Sequence, residues 1–221
     1  ATQSTDSTGN TNITFNTTGA IRTWTGTTST DWDVATNWSD GATFSAPGVA
    51  DSGARVVINV AGGNQPVITN ARTIASLDLG QTVASTLTFN SLNTLTVTGN
   101  VNIYANGTIT HTANTTSELY KVNIAAGSMT IASGGKIDVS EKGYTAGPGF
   151  TSYSGGASYG GQGGSSIVTY GSITQPINLG SGAYNASVGI GGGAVKLNVT
   201  GTLTNNGSIL SNGNWAGTSG G

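Results

Sequence analysis

The stretch Leu95-Thr-Val-Thr-Gly99-Asn-Val-Asn-Ile-Tyr-Ala-Asn-Gly107-Thr-Ile109 returns, loosely, as Leu197-Asn-Val-Thr-Gly201-Thr-Leu-Thr-Asn-Asn-Gly207-Ser-Ile209. In both phrases apolar residues alternate with Thr or Asn, the period of two that turns one face of a strand inward. Each first strand ends in Gly, a second strand follows, and Asn-Gly leads to a third. A unit this small cannot bury its apolar face alone, whereas stacked units share a continuous core. The turns are unevenly spaced. The expected fold is therefore all-β, a short irregular right-handed parallel β-helix or β-solenoid. Asn-Gly at Asn106 and Asn206 is also the favoured hairpin dipeptide, so a β-sandwich of meandering hairpins is the competing arrangement.

The same alternation fills the interval between the phrases. Val67-Ile68, Ile74, Leu77-Leu79, Leu87-Phe89, Leu92, Leu95-Val97, Val101-Ile103, Ile109, Val122-Ile124, Met129-Ile131 and Ile137-Val139 read as short strands. Gly80, Gly99-Asn100, Asn106-Gly107, Gly127 and Gly134-Gly135 read as the breaks between them.

Composition agrees with a β-structure and excludes several functions. Of 221 residues 36 are Gly, 36 Thr, 24 Ser and 21 Asn, more than half the chain, and only 7 % are charged. Seven Lys plus Arg cannot form a stripe that tracks phosphates, so nucleic acid is excluded as a partner. No apolar run approaches the length of a transmembrane helix. Without Cys there are no disulfides and no thiolate metal sites. Low charge, abundant Thr, Asn and Gly, and the absence of Cys point to an extracellular or cell-surface location. The opening Ala1-Thr2-Gln3, without Met, is what removal of a signal segment would leave, and equally what an arbitrary choice of starting residue would leave. Sequons at Asn12, Asn16, Asn37, Asn106, Asn114, Asn185, Asn198 and Asn206 permit glycosylation in a capable host. Low charge also weakens electrostatic protection against self-association, which suits an assembling subunit.

The chain divides into an extension at 1–19, a β-rich domain at 20–215 and a loosely held tail at 216–221. In the extension, Ile13 and Phe15 alternate with Asn12, Thr14 and Asn16. This segment reads as an ordinary first strand or as a donor strand that completes a neighbour's sheet edge. Trp24, Trp32 and Trp38 form a local core, or a platform on which sugar rings stack. Within the domain, residues 143–193 form a Gly/Tyr-rich loop region. Its Tyr144, Tyr153, Tyr159 and Tyr170 are too many rings for an inert spacer, and Tyr153 and Tyr159 are the glycan contacts it offers.

Chemistry-bearing residues are few. His111, the only His, reads as an exposed turn residue in Thr110-His-Thr. Carboxylate pairs suited to glycosidase- or lyase-like chemistry are Asp31 with Asp33, and Asp138 with Glu141. Asp31 and Asp33 are also the carboxylates offered to Ca2+, the one cofactor the composition admits, although no loop matches a dedicated calcium pattern. The expectation is a non-enzyme.

Two stretches resemble extracellular sequence patterns. Thr23-Trp-Thr-Gly26, Trp32, Thr36-Asn-Trp-Ser39, Pro47, Asp51 and Val56–Ile58, continued by Ile74–Leu79 and Leu87–Phe89, resemble repeat blocks of bacterial autotransporter-type surface proteins. Tyr159–Gly164, Tyr170–Ser172, Pro176, Leu179–Gly182, Gly191–Leu197 and Asn206–Ile209 resemble a glycine-rich module of large secreted proteins of bacteria and archaea. The resemblance implies a right-handed β-helix and a role in surface display, adhesion or matrix, with no catalytic activity. Those proteins are usually longer and carry an anchor or translocator. Polymerisation is another way to remain at a surface.

These readings converge on a structural subunit of an extracellular filament or surface matrix. It would assemble as a homo-polymer by end-to-end strand pairing, with Asn12, Ile13, Thr14 and Phe15 making the contact. The alternative is a surface adhesin or glycan-binding module using the Trp block 24–38.

Overall fold

The computed structural model describes residues 19–39, 46–49, 51–149, 157–162, 169–183 and 189–215. Among the described residues regular structure is almost entirely β-strand, with one turn of 3-10 helix at Ala35–Asn37. One sheet contains β1 (Ile21–Thr23), β2 (Arg55–Ile58), β4 (Arg72–Ile74), β5 (Ser76–Leu79), β7 (Leu95–Ile103), β9 (Val122–Ile131), β12 (Val195–Val199) and β13 (Leu203–Asn205). Its path runs β1-β2-β5-β7-β9-β12, with β4 also on β7 and β13 also on β9. The second sheet contains β3 (Val67–Ile68), β6 (Ser85–Phe89), β8 (Gly107–His111), β10 (Lys136–Asp138) and β14 (Ser208–Leu210), in the order β14-β10-β8-β6-β3. All ladders in both sheets are parallel; among the described residues the small pair β11 (Gly189–Ile190) with β15 (Asn214–Trp215) is antiparallel, as is an isolated bridge between Trp24 and Trp38.

These pairings overturn both folds expected from the sequence. A closed β-helix or β-solenoid is not what forms: the strands lie in two separate parallel sheets, and no ladder among the described residues joins one sheet to the other. A sandwich of meandering hairpins is excluded because neighbours in each sheet are parallel and come from distant points in the chain. At Asn106-Gly107 the chain passes from β7 in one sheet to β8 in the other, so this dipeptide makes no hairpin. The physical reason is that alternation reports which side chains face inward. It carries no information about which strand lies alongside.

Alternation itself is realised. In β6 and β8 buried and half-buried residues alternate along all five positions. Inward residues such as Val56, Leu77, Leu87, Ile109 and Ile124 are fully buried, each contributing about 1.5–3 kcal/mol by leaving water. The repeated phrases lie two strands apart in the stack: Leu95 pairs Ile124, which pairs Leu197, and Val101 pairs Met129, which pairs Leu203. Gly99 and Gly127, expected as strand breaks, lie inside β7 and β9. There the larger sheet changes register, between Val97 and Asn100. A Cβ on Gly99 would stand 2.8 Å from the Ala75 carbonyl, and one on Gly127 2.7 Å from that of Thr98, so these positions have no space for a side chain. Leu92, expected in a strand, is 42 % exposed between β6 and β7.

Candidate functional site

At the β1 end the stack is sealed. Trp24, Trp32 and Trp38 are all buried, at 2 %, 0 % and 3 % exposure. Trp38 meets the other two rings edge-on, at 4.9 Å from Trp24 and 4.8 Å from Trp32. Each indole N–H donates to a carbonyl: Trp24 to Asn64 (2.7 Å), Trp32 to Pro47 (2.9 Å) and Trp38 to Trp32 (2.8 Å). No ring face remains for a sugar. Asn37 holds the turn beneath them. Its Oδ1 accepts from the N–H groups of Thr28 and Ser29, both 2.9 Å, and its Nδ2 donates to Ser29 Oγ (3.0 Å) and the Asp31 carbonyl (2.8 Å). The 30–32 segment also covers the edge of β3, with Val67 N–H donating to Thr30 and Trp32 N–H to Val67.

The carboxylates do not gather into a reactive pair or a cation cage. Asp33 is held by Arg72 through Nε (2.8 Å) and Nη2, and by Asn70 Nδ2 (2.7 Å). Asp31 Oδ1 accepts the Asp33 N–H at 2.9 Å, a local turn contact. Asp138 Oδ1 accepts the Ser140 N–H (3.1 Å), and Glu141 Oε2 accepts from Asn214 Nδ2 (3.2 Å). A groove of about 360 Å³ beside Arg55, Ser76, Asn100 and Asn102 contains Asp78, which already accepts from Asn102 and Tyr104. Among the described residues no group of three or more His, Cys, Asp or Glu could hold a metal ion. Among them, too, no helix is long and apolar enough to cross a membrane.

The opposite end is open. β12, β13 and β14 form the last layer, and no strand among the described residues pairs with their outer edges. Val195, Leu197 and Val199 are only partly buried, whereas their partners Val122, Ile124 and Ala126 are buried. Leu203 is 45 % exposed over Met129, and Ile209 is 39 % exposed over Ile137, both partners being essentially inaccessible. The same inward face is covered one layer down and bare here. Between the two sheets at this end is a recess of about 310 Å³, lined in part by Tyr159, Pro176, Asn178, Val195, Ile209 and Ser211.

His111 supports this end from below. It is fully buried in β8, which corrects the expected exposed turn. Nδ1 lies 2.8 Å from the Thr112 carbonyl, and the Ala194 N–H donates to Nε2 at 3.2 Å. These partners assign a neutral ring with its proton on Nδ1. Burial is the main cause of a lowered pKa; the Thr112 carbonyl and Glu118 oppose it, and Lys142 adds to it. Gly193 crosses directly over the imidazole, where a Cβ would collide with Nε2.

Of the remaining predicted residues, Asn12, Ile13, Thr14, Phe15, Asn16, Tyr153, Asn185 and residues 216–221 lie outside the described residues. Asn114 is buried: it donates to Tyr120 and Lys142 carbonyls and accepts from Leu119 and Tyr120 N–H groups. Like Asn37, it has no room for a glycan in this fold. Asn106, Asn198 and Asn206 are exposed. Tyr159 is half-buried and packs edge-on against Tyr170 at 5.4 Å, which in turn meets Tyr144 at 6.0 Å. Burial raises the Tyr170 phenol above its ordinary pKa, aided by Tyr144.

Comparison with known protein families, curated proteins and solved structures finds no match for the chain. The residues missed in the sequence are Val195, Leu203 and Ile209 as a set that is only partly covered. Their signal was the second copy of the repeated phrase, which marks inward residues without saying that nothing covers them.

Proposed function

We propose that this chain is a structural subunit of an extracellular filament or surface matrix. Copies join end to end by strand pairing, with residues 12–16 of one copy as the donor strand for the next. One observation carries the reading: the last layer presents inward-facing Val195, Leu197, Leu203 and Ile209 beside strand edges unpaired among the described residues. Such an edge is a template for another chain. The low charge of the chain leaves little repulsion to prevent the contact. The adhesin alternative draws no support from Trp24, Trp32 and Trp38, whose rings are buried.

The test is negative-stain electron microscopy at rising concentration, on the full chain and on a variant lacking residues 1–19. Fibres of uniform width are expected from the full chain, and dispersed particles from the shortened one. Unchanged fibres after the deletion would remove 12–16 from the contact, and dispersed full-length particles at every concentration would end the filament reading.

A further inference from the structure

We infer that the recess at the open end is the socket for Ile13 and Phe15 of a second copy of this chain. The inference rests on the filament reading above and adds the receiving residues to it. The walls suit apolar side chains: Val195 and Ile209 come from the two sheets, and Tyr159 and Pro176 from the Gly/Tyr-rich loops. Asn178 and Ser211 supply polar groups. At about 310 Å³ the recess lies at the lower limit of pockets that enclose a small ligand, a size suited to a side chain or two.

The segment Asn12-Ile13-Thr14-Phe15-Asn16 has the matching pattern. It is five residues long, as is β12, and its apolar residues are two apart, as are Val195, Leu197 and Val199. Added as a strand outside β12, it turns Ile13 and Phe15 to the same side as the inward residues of the last layer. It contains no charge, so its insertion buries no unpaired ion.

Geometry requires that the segment come from another copy. A strand outside β12 lies six spacings from β1 along the sheet, about 29 Å at ~4.8 Å each. The six residues from Phe15 to Ile21 reach at most about 22 Å when fully extended. A second copy whose β1 end faces the open end has no such gap to cross.

The absence of Cys makes the test clean. Phe15→Cys and Ile209→Cys are made on separate chains, mixed, oxidised and run on a non-reducing gel. Ile209 is 39 % exposed, so its replacement leaves the core intact. Phe15→Cys mixed with Thr130→Cys, exposed on the outer face of β9, is the control. At least tenfold more covalent dimer in the first mixture than in the control is expected. Fibres by microscopy with no such excess overturn the socket and leave the filament reading standing. The excess without fibres keeps the socket and ends the filament reading, and neither fibres nor excess ends both.

Discussion

The two ends of the stack are built from the same strand chemistry and treat their cores in opposite ways. At the β1 end three indoles lie across the last apolar layer, each with its N–H satisfied by a carbonyl. At the β14 end the corresponding position has small and aliphatic residues, with Leu203 and Ile209 still in contact with solvent. A stack of parallel strands needs a cap wherever it ends, because each outermost layer has both an apolar face and an unsatisfied backbone edge. The protein covers one end with its own chain. At the other end, among the described residues, nothing of the chain covers the apolar layer or pairs its strand edges.

The largest expected effect comes from truncating the cap. Trp32→Ala should cost roughly 3–5 kcal/mol, the range for a fully buried large aromatic. Ile209→Ala at the open end should cost about 1 kcal/mol or less, since its side chain is already partly hydrated. Denaturant unfolding of both variants measures the difference. Equal losses would mean that the open end is covered in solution by the chain itself.

The polar contacts sharpen the contrast at smaller scale. Asn37→Ala strands two backbone N–H groups and a carbonyl beneath the indoles, and should cost about 1–3 kcal/mol. Ser211→Ala at the open end removes one donor to the Gly193 carbonyl in a solvated place, and should cost only about 0.5 kcal/mol. A comparable loss from both would show that Ser211 is covered in solution. The same unfolding measurement, made at low and at high protein concentration, reads this directly.

The last effect is pH-dependent and belongs to the open end. The folded chain holds His111 neutral with its pKa below the ordinary 6.5, so the unfolded state takes up a proton more readily. Stability from this ring is therefore complete above about pH 6.5 and is lost as pH falls below it. Protonation also removes the Nε2 acceptor for the Ala194 N–H at the start of β12. Unfolding midpoints should drop between about pH 7 and about pH 5, and His111→Gln should flatten that slope. A slope that survives the substitution would assign the pH response to another group.

Much of the interior was legible in the sequence. The alternation at Leu87-Phe89, Val101-Ile103 and Met129-Ile131 placed those side chains inward, and the structure buries them. The repeated phrase at Leu95 and Leu197 marked positions that do stack in register. Gly99 and Gly127 misled as strand breaks because a glycine demanded by a close backbone contact looks like a glycine demanded by a turn. His111 misled because one polar residue between two Thr carries no sign of the Ala194 N–H that satisfies it from 83 residues away. Asn37 and Asn114 looked like glycan acceptors, and the turns they hold consume their amides instead.

By itself the sequence determined the period of two, the all-β content and the inward residues, because alternation and Gly placement are local properties of the chain. It also determined that charge and thiol chemistry are scarce, since these are matters of composition. Only the tertiary structure decided that the parallel strands lie in two sheets with no ladder between them, that the indoles are a seal rather than a platform, and that one apolar layer is uncovered among the described residues. Those outcomes depend on pairing between residues dozens of positions apart, and pairing is set by the packed whole.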